Sequence, residues 1–344
     1  VRYTVTTRVL ELRDPLHTAW GELRERPLVE VEVESEDGFV GRGEAAPLEP
    51  YDGVPLAAVL AALHAYGPIV ERGDGVRGDV LYDRCRAVAD LPQALAAIDL
   101  ALWDLAGQRL GRPVSALLTD QVLDAVAVNA TIGAVSREEA AMLAARAASD
   151  GFSCVKLKVG VADDAGRVAA VRAAAGPGMA LRLDANGAWD VEQAVRVIDQ
   201  LSPAGLELVE EPVHGIEEMR VVRERTAVRV ALDETAAIPG ALASGVADAV
   251  CLKVSRAGGI SSLLVQATLV RAGGAEPYLA STFDGPAGIA AAVHVAAALR
   301  LELPCGLATL GTFTDDTLSD GLAVVDGAIA VPTTPGLGVG VGRN

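Results

Sequence analysis

VKLKVG (155–160), LRLDANG (181–187), LELVEEP (206–212), VALDET (230–235) and AVCLKVS (249–255) are five short apolar runs, each carrying charge near its end. From Lys158 through Asp184, Glu210 and Asp233 to Lys253 the steps are 26, 26, 23 and 20 residues. Each step matches one strand–helix unit of roughly 20 to 30 residues. If every run is a parallel strand of a closed barrel, the five charged groups converge on the rim where the strands end. The same rhythm extends both ways, from VAVNATI (126–132) to PYLAST (277–282) and LATL (307–310). Helical patterns lie between the strands at 136–149, 162–175, 190–201, 215–225, 238–245, 259–272 and 285–300. Eight strands and seven helices predict an α/β fold, a modified (β/α)8 barrel of the form (β/α)7β, over residues 119–315.

Upstream the pattern differs. Alternating runs in residues 1–45 predict a three-stranded antiparallel meander, with Glu36-Asp37-Gly38 as a turn. Helices follow near 54–66 and 93–110, the second stopping at Gly111-Arg112-Pro113. Residues 1–118 therefore form an α+β capping unit, and 316–344 return to pack on it. The tail run LGVGVG has neither a helix nor a βαβ unit after it, so it is not a dinucleotide fingerprint.

The composition excludes several classes. A net charge of −17 over 344 residues argues against nucleic acid as a partner. The longest apolar stretch, 287–299, is too short to span a bilayer. No export signal opens the chain, which points to the cytoplasm. Cys85, Cys154, Cys251 and Cys305 are scattered and read as buried, reduced thiols. His17, His64, His214 and His294 show no ligand spacing, which disfavours a nitrogen-rich zinc site. The sequence leaves the oligomeric state open and is compatible with a homo-oligomer.

Lys156 and Lys158, two apart on a strand, share a face. Burying two ammonium groups costs several kcal/mol unless something compensates, so their place inside a barrel signals function. Mutual repulsion is expected to lower a lysine pKa towards the range of a general base, with Lys158 as the base and Lys156 tuning it. Asp184, Glu210 and Asp233 at matching depth form a hard oxygen site suited to Mg²⁺, with Mn²⁺ as a substitute, since close carboxylates repel without a cation between them. Within Glu210-Glu211 and Asp233-Glu234 only one of each pair can face inward. Lys253 stands across the ring from Lys158. A metal beside a small carboxylate substrate, with a lysine on either face, implies abstraction of a proton α to that carboxylate.

At these residues the chain resembles the enolase superfamily, in its muconate lactonising subgroup, whose lysine or histidine base and Mg²⁺ are established features. The resemblance rests on GRGEAAPL (41–48), AIDLALWDLAG (97–107), K-x-K, DANG, EEP, DET and KVSRAGGI (253–260). It implies Lys158 and Lys253 as opposed catalytic lysines and Asp184, Glu210 and Asp233 as metal ligands. Segments 281–294 and 304–310 are similar to o-succinylbenzoate synthases. The Asp-x-Asp that dipeptide epimerases carry on the eighth strand is replaced by Gly306-Leu307-Ala308-Thr309. The resemblance thus implies syn dehydration by a lyase, with N-succinylamino acid racemisation, muconate-type cycloisomerisation and dipeptide epimerisation as alternatives. Substrate contacts are expected from His17, Trp20, Tyr51, Asn186, Ser281 and Thr282, the first three on loops that cover the mouth.

Overall fold

The computed structural model describes residues 1–18 and 21–339; the side chains of His17 and Thr18 lie outside the described residues. Three long strands, β1 (Arg2–Thr18), β2 (Gly21–Glu34) and β3 (Val40–Ala45), form the antiparallel meander in the order β1-β2-β3. Five helices follow: α1 (Glu49–Asp52), α2 (Leu56–Val70), α3 (Gly78–Val88), α4 (Pro92–Leu110) and α5 (Val114–Leu118). Alternation in β2 places Val29, Val31 and Val33 on one face, where they bury against Val59, Leu63 and Tyr66 of α2 and Ala94, Ile98 and Ala101 of α4. β3 runs so close to α4 that a Cβ at Gly43 would stand 1.9 Å from the Ala97 carbonyl oxygen, and one at Gly41 2.1 Å from that of Ala101. The glycines of GRGEA and the alanines of AIDLALWDLAG are thus two halves of one close packing.

The barrel consists of β5 (Ala130–Ile132), β6 (Cys154–Lys158), β7 (Ala180–Asp184), β8 (Leu206–Glu210), β9 (Val230–Leu232), β10 (Ala249–Leu252) and β11 (Glu276–Leu279), adjacent and parallel in chain order. Cys305 and Gly306 close it by single bridges to Val128 and Ala280. The helices between strands are α6 (Arg137–Ser149), α7 (Asp164–Ala175), α8 (Val191–Leu201), α9 (Ile216–Arg225), α10 (Val254–Ala257) with α11 (Ile260–Ala272), and α12 (Pro286–Leu299). β4 (Ala125–Ala127) leaves the barrel and pairs with β13 (Ala328–Ala330), itself paired with β12 (Val324–Val325). Helix cover on one side and packed side chains within leave these strands buried on both faces, as a parallel sheet requires.

Three local expectations are corrected. The segment 238–245 is not a helix; 3-10 turns at Glu234–Ala237 and Ala241–Ala243 replace it. The eighth strand is not LATL, because closure occurs at Cys305 and Gly306, and Leu310–Thr312 is a 3-10 turn. VAVNATI splits between two sheets. Helix α3 adds to the expected elements and buries Leu81, Tyr82 and Cys85 among polar neighbours.

Cap and barrel meet through buried polar contacts. Asp99 of α4 accepts from the Ser261 backbone N–H (3.0 Å) and hydroxyl (2.6 Å), which caps α11 from outside. Asp104 accepts from Arg42 N and from Leu337 N in the C-terminal segment.

Candidate active site

Register sets the depth of each charged group. Lys158 pairs with Asp184 and Asp184 with Glu210 across β6, β7 and β8, so these three residues are level at the strand ends. Glu210 pairs with Ala231, which places Asp233 two residues further along and on the same face. Lys253 follows β10, the sixth of the eight barrel strands, while Lys158 ends the second. They therefore sit on opposite sides of the ring.

Lys156 Nζ lies 2.9 Å from both Asp184 and Glu210. Lys158 Nζ lies 2.6 Å from Asp184 Oδ2 and 2.7 Å from Asn186 Oδ1. Asn186 has φ +45°, a left-handed conformation stabilised by its backbone N–H donating to Asp184 Oδ1. On the far side Lys253 is ion-paired with Asp233 and donates to the Tyr51 hydroxyl (2.7 Å). That hydroxyl is 2.9 Å from Asp233 Oδ1 and also accepts from Arg256 (2.8 Å), and both cations lie 5.0 Å from the Tyr51 ring centroid.

The ambiguous pairs separate cleanly. Glu210 faces the ring, where Tyr278 donates to its second oxygen at 2.6 Å. Glu211, at φ +41°, turns away and accepts from the backbone N–H groups of Asp233 (2.8 Å) and Thr235 (2.9 Å) and contacts His214. Those bonds wind 234–237 into a tight turn, which is why no α-helix starts there. Asp233 faces the ring, whereas Glu234 takes the Asn186 amide at 2.9 Å and leaves its other oxygen buried without a partner.

Electrostatics here differ from simple repulsion between ammonium groups. Burial opposes the charge of Lys156, yet Asp184 and Glu210 outweigh it and hold the pKa well above the usual lysine range. Asp233 does the same for Lys253. Against its own burial, Asp184 is pulled below the usual carboxylate range by Lys156 and Lys158, and Asp233 is pulled down by Lys253. Burial raises Glu210, with Asp184 and Asp233 adding to the rise. Burial and Asp233 push Glu234 up to about 7. The lysines thus neutralise the carboxylates pairwise, and at Lys156 the two carboxylates, not repulsion from a second ammonium, set the direction of the shift.

The donor set fits a hard divalent cation. Asp184 and Glu210 are fully buried and already converge on one cation, the Lys156 ammonium, while oxygens of Glu210 and Asp233 lie within 4.8 Å of each other. Cys251 shares that last cluster, but burial holds its thiol far above the range in which it would ionise, which leaves it a poor competitor for such an ion.

Comparison with known proteins decides the family. Residues 1–119 match the mandelate racemase / muconate lactonizing enzyme N-terminal domain, and residues 139–343 the enolase C-terminal domain-like family. The chain belongs to the enolase superfamily, in the muconate lactonizing subgroup. Within the superfamily it is similar to the L-Ala-D/L-Glu epimerase of Bacillus subtilis (strain 168), 30% identical over 98% of this chain and 96% of the relative. It is 42% identical to the o-succinylbenzoate synthase of Thermobifida fusca (strain YX), over 61% of this chain and 68% of that protein. Among solved structures, the dipeptide epimerase of Enterococcus faecalis V583, complexed with Mg and the dipeptide L-Leu-L-Tyr, superposes with a TM-score of 0.89 at 27% identity, covering 98% of both chains. The modified barrel with its antiparallel cap is the superfamily's architecture.

The structure gathers Lys156, Lys158, Asp184, Asn186, Glu210, Asp233, Lys253 and Tyr51 into one constellation. Ser281 stands at the end of the seventh barrel strand, its hydroxyl 3.1 Å from that of Thr309 and accepting from Asp284 N at 3.0 Å. Thr282 is buried and donates to Asp284 (2.9 Å), so it builds its loop rather than facing the mouth. The His17 side chain and Trp20 lie outside the described residues. Sequence reading missed Arg256, Cys251 and Tyr278. Cys251 shares strand parity with Lys253 and so faces inward, which was a usable signal; Tyr278 and Arg256 gave none beyond proximity to strand ends. No helix among the described residues is long and apolar enough to cross a membrane.

Proposed function

We propose that this enzyme removes a proton α to a carboxylate in a divalent-metal-dependent reaction, and that it is an o-succinylbenzoate synthase. The reaction is the syn dehydration of 2-succinyl-6-hydroxy-2,4-cyclohexadiene-1-carboxylate, a lyase step in the cytoplasm. The observation that carries the reading is the pair of lysines on opposite sides of three buried, convergent carboxylates. Asp184, Glu210 and Asp233 would hold Mg²⁺, with Mn²⁺ as a substitute, whose charge offsets the negative charge that develops on the substrate carboxylate.

Lys158 takes the α-proton as the base. The electron pair of the C–H bond moves into the ring and expels hydroxide, which accepts the same proton from Lys158 and leaves as water. The base is regenerated and the ring becomes aromatic. Asn186 Oδ1, 2.7 Å from Lys158 Nζ, orients that side chain. Lys253, set by Tyr51 and Asp233, stabilises the anion from the other face. Lys156, between two carboxylates, tunes the charge of the site rather than moving a proton. Residues 1–118 serve as the cap, 119–315 as the barrel and 316–344 as the returning segment.

Two features favour the synthase among the subgroup's activities. Identity to the T. fusca synthase is higher than to the epimerases, although the epimerases span more of the chain. The segment that follows the closing bridge at Gly306 offers Leu307, Ala308 and Thr309, so a dipeptide ammonium would find no carboxylate there. N-succinylamino acid racemisation is the second reading, favoured by the opposed lysines, each of which can serve one enantiomer. Turnover with the cyclohexadiene carboxylate, a panel of N-succinylamino acids and a set of dipeptides tests the choice. Dehydration that outpaces every epimerisation supports the synthase; robust dipeptide epimerisation refutes it.

A further inference from the structure

Outside the reacting groups, the cap sends two charged side chains deep into its junction with the barrel. Arg26 of β2 is fully buried, and Glu44 of β3 nearly so. The Arg26 guanidinium spreads over main-chain carbonyls from two segments. Nε donates to Thr282 O at 3.0 Å, Nη2 to Ala46 O at 2.6 Å, and Nη1 to Pro47 O. Ala46 and Pro47 begin the stretch that carries Tyr51, and Thr282 lies in the loop after the seventh barrel strand. Glu44 grips the other end of that loop, its Oε1 accepting from Gly285 N at 2.6 Å. The fit leaves no spare room, since a Cβ at Gly285 would stand 2.3 Å from Glu44 Oε2.

Between these two grips the loop is strained and internally braced. Phe283 has φ +59°, a left-handed conformation that non-glycine residues rarely adopt. Asp284 is buried, accepts from the Thr282 hydroxyl and is tied by its N–H to Ser281. Ser281 in turn meets Thr309, in the turn just after the closing bridge at Gly306. A strained loop persists only where its surroundings over-determine it. Here the over-determination comes from another part of the chain, the cap.

We propose that Arg26 and Glu44 are positioning residues that clamp the Ser281–Gly285 loop and so fix the shape of the mouth that receives the part of the substrate distal to its reacting carboxylate. The inference rests on the function proposed above. Neither residue touches the reacting atoms. The clamp acts on substrate fit, through the loop, and leaves the metal ligands and Lys158 in place.

Two paired substitutions test it in the full-length enzyme with Mg²⁺. Glu44→Gln keeps an acceptor for Gly285 N, whereas Glu44→Leu keeps the size and loses it. Arg26→Lys keeps the charge but cannot fork across three carbonyls. Glu44→Leu and Arg26→Lys are expected to raise KM for the succinyl-bearing substrate about tenfold or more, because small displacements at a mouth cost binding. Both should leave kcat and Mg²⁺ affinity near wild type and speed amide hydrogen exchange in peptides spanning 281–287. Glu44→Gln is expected to behave as wild type in all four readouts. Unchanged KM despite faster exchange overturns the clamp. So does a joint fall of kcat, metal affinity and global stability, which would mark a purely structural role, or a Glu44→Gln variant as impaired as Glu44→Leu. A wild-type enzyme without turnover on any subgroup substrate overturns the functional reading itself and this inference with it, and that result appears before any variant is made.

Discussion

Replacing Lys156 by Met separates the ionic role of this residue from its place in the fold. Its ammonium sits 2.9 Å from carboxylate oxygens of Asp184 and Glu210, with the side chain 11% exposed and both acids fully buried. Met keeps the stem and removes the charge, which leaves two buried carboxylates facing each other across the gap. Removing one partner of a buried ion pair costs about 3–5 kcal/mol. With an unfolding entropy of about 2.1 cal/mol/K per residue, a chain of this length loses about 4–7 °C in Tm for that cost. In saturating Mg²⁺ the deficit should shrink, because the ion takes over the neutralisation and no longer has to displace Lys156. The Mg²⁺-induced rise in Tm is therefore expected to be larger in the variant than in wild type, and the metal affinity read by titration calorimetry should follow the same order. Scanning calorimetry in EDTA and in Mg²⁺ measures both quantities. A variant with wild-type Tm in EDTA, or with an equal rise on adding Mg²⁺, refutes the view that Lys156 neutralises the metal-free site.

Three further outcomes are expected. Lys253→Arg should keep part of the dehydration because its positive charge remains, while Lys158→Arg should keep none, since a guanidinium is no base at neutral pH; equal residual rates in the two variants sink the role assignment. Burial pushes His294 down to about 4 from about 6.5, and it stays neutral in the fold, with Nδ1 accepting from Ser115 N and Nε2 facing Leu337 O. The unfolded chain alone then gains that proton on acidification, so this contribution is intact above pH 6.5 and lost as pH falls towards 4, about 3 kcal/mol in total; urea midpoints across that window should fall less steeply in His294→Gln. Gly43→Ala drives a Cβ into the Ala97 carbonyl, with backbone on both sides, and should cost about 3 kcal/mol or more in urea unfolding.

Much of the site was legible because strand parity and repeat length are local properties. The steps between Lys158, Asp184, Glu210, Asp233 and Lys253 place all five on one rim, and the barrel follows from them. What stayed illegible depends on contacts between distant segments. Glu210 and Glu211 differ only in which way the chain turns after β8, and the left-handed turn at Glu211 is fixed by the N–H groups of Asp233 and Thr235. The helix expected at 238–245 is interrupted by Pro239 and by Gly240, whose φ of +86° leaves the right-handed helical region. The repulsion inferred between Lys156 and Lys158 neglected how closely the carboxylates approach each ammonium, a distance that no spacing rule supplies. Removing a carboxylate consequently strands a lysine in the metal-free site rather than relieving a cluster of like charges. Arg26 and Glu44 looked like ordinary residues of amphipathic strands, since nothing local marks a side chain that crosses into another unit.

On the function proposed above, this constellation performs Mg²⁺-dependent proton abstraction by Lys158. Its most direct test follows the conversion of 2-succinyl-6-hydroxy-2,4-cyclohexadiene-1-carboxylate to o-succinylbenzoate by absorbance, comparing wild type, wild type in EDTA, and Lys158→Ala. Turnover is expected only in wild type with Mg²⁺, with Lys158→Ala folded, metal-binding and inactive. Dehydration that persists in EDTA, or in a folded Lys158→Ala enzyme, would contradict it.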